Sequence, residues 1–227
     1  MPAKKAIKAP AKKSAGKSAA KSAQPASTDA SVYQLKVTLK GFKPAIWRRI
    51  LVKSDDTLGT LHVIVQMVMG WSGGHMHQFI LGKRPNFLFI GSPVGFDDGE
   101  MENEDEVTVN QVLPVVKTKM IYEYDFGDGW EHEIALEKTV PAEKGIYYPQ
   151  CLAGENACPP DDVGGVWGYD NFLKAIKDPK HPEHEELLEW SGGDFDPQEF
   201  DLADVNKRLK NLKRKIAFER ELRDLFS

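Results

Sequence analysis

At 227 residues, 41% hydrophobic and 28% charged, the chain has the composition of a globular protein with room for one large or two small domains. No run reaches the roughly 18 apolar residues of a membrane helix, the lysine-rich start lacks the apolar core of a secretory signal, and two cysteines are too few for a disulfide framework. A membrane span and a disulfide-stapled secreted fold are not expected, and a reducing cytoplasm is the expected location.

Residues 1–30, rich in Lys, Ala, Ser and Pro, carry seven lysines against Asp29. With Ile7 as the one large apolar side chain apart from Met1, this tail cannot bury enough surface to offset the entropy of ordering, and disorder is expected. Lys4, Lys5, Lys12 and Lys13 are candidate phosphate contacts; a solubilising extension lying against its own acidic body is the plainer reading. That body is acidic, since residues 1–30 carry +6, residues 207–227 carry +5, and the total is −4.

YQLKVTLKG (33–41) alternates Leu35, Val37 and Leu39 with polar neighbours, which predicts a half-buried strand. AIWRRILV follows a Phe42–Pro44 turn as its hairpin partner. DDTLGTLHVIVQMVMGW has Asp56 or Thr57 as N-cap and an apolar period that predicts a helix ending near Gly70. HMHQFILG (75–82) returns to strand, so the start reads ββαβ, an order like that of a β-grasp core. His75 and His77 then share one face with Cα atoms roughly 6.6 Å apart, as candidate metal ligands or as histidines at the margin of a core.

The acidic stretch from Gly95 to Glu106 predicts a solvated loop and VTVNQVLP a short helix or turn. KMIYEYDF and WEHEIALEKTV predict a hairpin near 119–138, joined through YDFGDGWEH (124–132). Glycines 127 and 129 supply turn chemistry. Alternation sends Trp130, His132, Ile134 and Leu136 to a buried side and leaves Glu123, Asp125, Glu131 and Glu133 on the other, with Lys119 placed to relieve their repulsion. Asp125, Asp128, Trp130 and His132 are the candidate functional cluster; the competing readings are a solvated acidic face, a partner-binding face, and a metal or acid/base site. The DFG triplet lacks every companion motif of a kinase, and DFGDG does not fit an EF-hand loop.

Cys151 and Cys158 are spaced more widely than a zinc knuckle; they read as small buried hydrophobes or, alternatively, as a zinc or redox pair. Beyond them GYDNFLKAIKD and PEHEELLEWSGG predict helices. A basic amphipathic helix is expected over 203–227, with Leu202, Val205, Leu209, Leu212 and Ile216 as its seam. Lys207, Arg208, Lys213 and Arg214 on it are candidate nucleic-acid contacts, or they pair with the acidic body.

IWRRI (46–50), LHVIVQMVMGW with HMHQF, YEYDFGDGWEHEI and CLAGENACPPDDVGGVWGYDNF, followed by FDP and FDL near 195–202, together resemble the plasmid pRiA4b Orf3-like family, some members of which are labelled insertion-element passenger proteins. The resemblance covers roughly residues 32–210 and implies an α+β body in a mobile-element context, with no implied reaction or cofactor. Many relatives carry a further cysteine where this chain has Val163, so a thiolate-rich metal site does not carry over. The expected architecture is an α+β mixed sheet with a helical C-terminal part: a tail over 1–30, a family domain over 31–210 and a basic helix overlapping its end. Two functions stand: a noncatalytic module binding a protein partner or nucleic acid, or a metal-dependent, hydrolase-like enzyme, with zinc as the candidate ion.

Overall fold

The computed structural model describes residues 31–92 and 101–226; the basic tail, with Lys4, Lys5, Lys12 and Lys13, lies outside them. Eight strands form one sheet in the order β5-β4-β3-β6-β7-β1-β2-β8: β1 (Ser31–Leu39), β2 (Trp47–Lys53), β3 (His77–Lys83), β4 (Asn86–Gly91), β5 (Met101–Asn103), β6 (Lys119–Tyr124), β7 (Trp130–Pro141) and β8 (Gln150–Glu155). Neighbours are antiparallel except β4 and β5, which run parallel, so the sheet is mixed and the architecture is α+β. The ββαβ start is present, with β3 three strands from β1 rather than beside it.

The alternation of β1 works as expected: Leu35, Val37 and Leu39 are buried while Gln34, Lys36 and Thr38 are not. A bulge beside Gln34 and Leu35 shifts the register against β7, and Glu137 falls in the gap. Its carboxylate accepts from Gln34 and from both Nε and Nη2 of Arg49, at 2.7, 2.6 and 3.0 Å. Bulge and ion pair thus fix one register on the wetter face.

Helix α1 (Leu58–Met69) starts at Thr57, whose hydroxyl accepts from Thr60 N at 3.1 Å, and ends at Gly70 in the left-handed region. All but Thr60 are buried, His62 and Gln66 included, because the helix is covered on both sides. It lies between the sheet and two later helices, α5 (Leu202–Leu209) and α6 (Leu212–Phe226). Arg48, 3% exposed on β2, donates to the carbonyls of Val68, Trp47, Glu155 and Asn156 at 2.8–3.0 Å and lies over the Phe200 ring. Strand, helix end and the segment after β8 meet on one guanidinium.

Three expectations are corrected. The helix predicted as continuous over 203–227 breaks at Lys210–Asn211, which lets Leu209 and Leu212 both be buried against α1. The acidic stretch is not wholly a solvated loop: Met101–Asn103 adds a strand and Glu104 is 1% exposed, while residues 95–100 lie outside the described part. QCLAGE, unmarked by alternation, forms the edge strand β8. Its Cys151 N–H donates to Asn206 Oδ1 and its carbonyl accepts from Asn206 Nδ2, both at 2.9 Å, so a side chain of α5 covers a backbone edge. The short helix expected in VTVNQVLP is α2 (Val109–Val112); α3 (Gly165–Lys177) and α4 (His184–Trp190) complete the fold. Among the described residues no helix is long and apolar enough to cross a membrane.

Candidate functional site

The hairpin of YDFGDGWEH forms with Tyr124 opposite Trp130. The left-handed residues of its turn are Asp125 (φ 56°) and Gly129 (φ 66°), not Gly127. Asp125 tolerates this because its Oδ1 accepts from Gly127 N at 2.9 Å and Asp128 N at 3.3 Å, a local bond that favours Asp in such turns. This reversal also corrects the face assignment: Asp125 leaves the row of Glu123, Glu131 and Glu133 and is 8% exposed. The three glutamates are each matched, to Gln78, Lys40 and Lys119 respectively.

The turn is pinned from two sides. Asp125 N donates to Met76 O, and Asp128 Oδ2 accepts from Gly164 N at 3.1 Å. A Cβ on Gly165 would sit 2.4 Å from the Asp128 carbonyl, so the close approach of α3 to the turn requires glycine there. Loops 70–76, 125–129 and 156–164 thereby converge at one end of the sheet.

His132 and Trp130 are buried, as alternation predicts. His132 packs edge-on to Trp71 and beside Tyr122. Neither of its ring nitrogens completes a hydrogen bond, though the backbones of Tyr122 and Trp130 lie near. Burial pushes its pKa down to about 4, so the ring is neutral near pH 7. The candidate cluster therefore splits, with Trp130 and His132 in the core, Asp125 at the loop junction, and Asp128 holding α3.

His75 and His77 do not share a face, because β3 begins at His77 and His75 belongs to the preceding loop. His75 Nδ1 lies 3.6 Å from Asp125 Oδ2 and its Nε2 lies 3.5 Å from Asp162 Oδ1. His77 turns inward and donates from Nε2 to Glu104 Oε2 at 2.7 Å. Its ring stacks on His62 with centroids 3.4 Å apart and planes 8° from parallel. His62 Nδ1 accepts from the Tyr122 hydroxyl at 2.7 Å, which itself accepts from Gln66 Nε2 at 2.8 Å. That chain leaves His62 Nε2–H facing Glu219 Oε2 on α6, 3.5 Å away.

Burial, followed by the field of His77, pushes the His62 pKa down to about 4. Burial alone would raise Glu104 and Glu219, but bonds and charges from His77 and Arg223, and from His62 and Lys215, outweigh it and hold both carboxyls below the usual range. Arg223 donates to Glu104 Oε1 and Asp105 Oδ2 at 3.2 and 3.1 Å. These groups border a cavity of about 360 Å³ between α1, the start of β3 and α6, with His75 at its rim. Sequence reasoning missed His62, Glu104, Glu219 and Arg223 as a unit. The available signal was His62 and Gln66, four residues apart in an otherwise apolar helix, a spacing that stacks two polar groups on one buried face.

Among the described residues the cysteines join no metal-binding group: Cys151 is buried, Cys158 half-buried, both are free thiols, and burial raises both pKa values. Among the described residues, the one group of three His, Cys, Asp or Glu with metal-ligand spacing is His75, Asp125 and Asp162. The cations of the basic stretch divide. Arg208 Nε approaches Asp204 at 3.1 Å and Lys215 approaches Glu219 at 3.4 Å, whereas Lys207, Lys213 and Arg214 are exposed and form no ion pair among the described residues. Between the end of α1 and the α5–α6 pair runs a groove of about 440 Å³ lined by Trp71, Arg208, Asn211, Arg214, Lys215 and Phe218.

The family model described as "Plasmid pRiA4b ORF-3-like protein" matches residues 31–204. The chain is 38% identical over 190 residues to "Uncharacterized protein y4hQ" of Sinorhizobium fredii (strain NBRC 101917 / NGR234), covering 83% of this chain and 95% of the relative. It is also similar to the crystal structure of the protein of unknown function MM3350 from Methanosarcina mazei Go1, with a TM-score of 0.71 and 39% identity, over 78% of this chain and 99% of that one.

Proposed function

Since the chain belongs to the plasmid pRiA4b ORF-3-like family, whose relatives compared above have no stated activity, we propose from its own surface that it is a noncatalytic module binding nucleic acid. The observation that carries this reading is the groove beside α1. Arg214, which forms no ion pair among the described residues, lines it together with Arg208 and Lys215, which also pair with Asp204 and Glu219; Lys215 Nζ lies 5.6 Å from the Phe218 ring centroid, and that ring is 51% exposed. Cations that track phosphates beside an accessible aromatic that stacks a base are the elements of a single-strand site. Lys207, Lys210 and Lys213, exposed nearby, extend the positive strip, and the lysines of residues 1–30 add a sequence-independent contact. The imidazoles of the inner cavity, each facing a carboxylate of its own, read as supports for this helical layer rather than as acid/base catalysts. A cytoplasmic location and a mobile-element setting belong to the same proposal.

Fluorescence anisotropy with single-stranded and duplex DNA across salt tests it. Affinity should fall steeply with salt, Lys213→Ala with Arg214→Ala should lower the log–log slope by roughly one to two, and Phe218→Ala should weaken the single strand more than the duplex. Slopes and affinities unchanged by all three substitutions, but abolished by removing the tail lysines Lys4, Lys5, Lys12 and Lys13, would move the contact to the tail and retire the groove. A protein partner is the second reading, favoured by Trp167, 83% exposed on α3; it is the one to pursue if neither DNA binds.

A further inference from the structure

The junction of the three loops holds side chains that the nucleic-acid reading does not use. Asp125 is nearly buried, and its Oδ1 is occupied by two turn amides. That leaves Oδ2 directed at His75. Asp162, in the segment after β8, reaches the other edge of the same imidazole. One ligand atom from each of the three lies within 4.8 Å of the others. A fourth polar atom is nearby: the hydroxyl of Tyr124, a fully buried side chain, has no hydrogen-bond partner. The His75 backbone approaches it without completing a bond, Asp125, Asp161 and Asp162 are close enough to act on it electrostatically, and the His75 ring meets the Tyr124 ring edge-on at 5.7 Å.

A buried hydroxyl without a partner is costly, and so is a nearly buried carboxylate with a second carboxylate close to it unless a cation offsets them. We propose that His75, Asp125 and Asp162 bind one divalent transition-metal ion, zinc in the first instance, beneath which the Tyr124 hydroxyl is oriented. One imidazole nitrogen with two carboxylates is a borderline donor set that suits zinc. Calcium and magnesium favour larger all-oxygen shells. Asp162, whose side chain is 72% exposed, is the arm that closes on the ion, and the turn amides on Asp125 Oδ1 orient its ligating oxygen as outer-shell partners do. The ion would tie the loop before β3 to the β6–β7 turn and to the segment leading into α3.

Calorimetric titration of the full-length chain with Zn²⁺ alone tests this. One ion per chain is expected, with affinity at least tenfold weaker in His75→Ala and in Asp125→Asn, where the retained amide oxygen still caps the turn. Tyr124→Phe should weaken it several-fold, and Cys151→Ser with Cys158→Ser should leave it unchanged. Zinc should also raise the Tm of the parent chain and not that of His75→Ala. Should His75→Ala fail to fold, His75→Gln gives the same reading. No stoichiometric binding, binding unaltered in Asp125→Asn, or binding lost with the cysteines would each overturn the proposal.

Discussion

Two groups of histidines and carboxylates stand within one loop of each other and are built on opposite principles. In the inner group His62 and His77 stack face to face, Glu104 and Glu219 each face one ring, and Arg223 closes the set from α6. In the outer group His75 stands between Asp125 and Asp162 with no arginine or lysine ion-paired to either acid among the described residues. The inner side chains of His77 and Glu104 are 9% and 2% exposed, against 33% and 72% for His75 and Asp162 outside, where Asp125 at 11% is the one nearly buried member. Charge that is internally balanced and dry holds layers together, whereas charge left in excess at a wet rim is available to something else.

The sharpest way to break this contrast is to remove Glu104. Glu104→Ala leaves His77 and Arg223 without their buried acceptor, and denaturant unfolding should show a loss of roughly 3–5 kcal/mol, the usual cost of breaking a buried pair from one side. A loss under about 1 kcal/mol would mean that the inner group is not a structural clasp.

Acid should test the buried imidazoles, His62 of the inner group and His132 of the core, next. Folded His62 and His132 titrate at about 4 against an ordinary 6.5, so between those values the unfolded chain binds protons that the folded one refuses. Their contribution is complete above about pH 6.5 and is lost as pH falls toward 4. Asp56 works the other way. Its burial raises it to about 6, so it favours the fold most at low pH and less as pH rises through that value. Two protons against one leave stability falling with acid by on the order of 1.4 kcal/mol per pH unit between about 6 and 4. Unfolding free energies at a series of pH values should show this slope, and His132→Leu, which removes a buried ring with no hydrogen bond, should flatten it.

The smallest effect belongs to the rim. Asp162→Asn should change stability in metal-free buffer by no more than about 0.5 kcal/mol, as exposed substitutions usually do. A much larger loss would show that the outer group is a clasp as well.

How far these groups were legible in the sequence follows from how local their causes are. Alternation over adjacent residues placed β1, β2, β6 and β7 and sent His132 inward, and the apolar period with Thr57 and Gly70 bounded α1. Lys119 did meet Glu133, at 2.8 Å, as strand parity suggested. The shared face expected of His75 and His77 is absent because the strand starts at His77, two residues later than its pattern. Glu104 looked like one acid among many because its partners are His77, 27 residues away, and Arg223, 119 residues away. The break between α5 and α6 carries neither Gly nor Pro and is set by where Leu209 and Leu212 must pack. β8 has no periodic signal, since its burial does not alternate and one stretch of its edge is covered by Asn206.

Arg48 carries a consequence for the order in which the molecule comes apart. Its four partners are peptide oxygens, none of which titrates, so acidification gives this clamp no reason to let go. The imidazole layer under α6 has every reason. Mild acid should therefore peel α6 from α1 while β2, the last turn of α1 and the strand rim at Glu155 remain joined, and backbone amide exchange should quicken first around Glu219 and last around Val68.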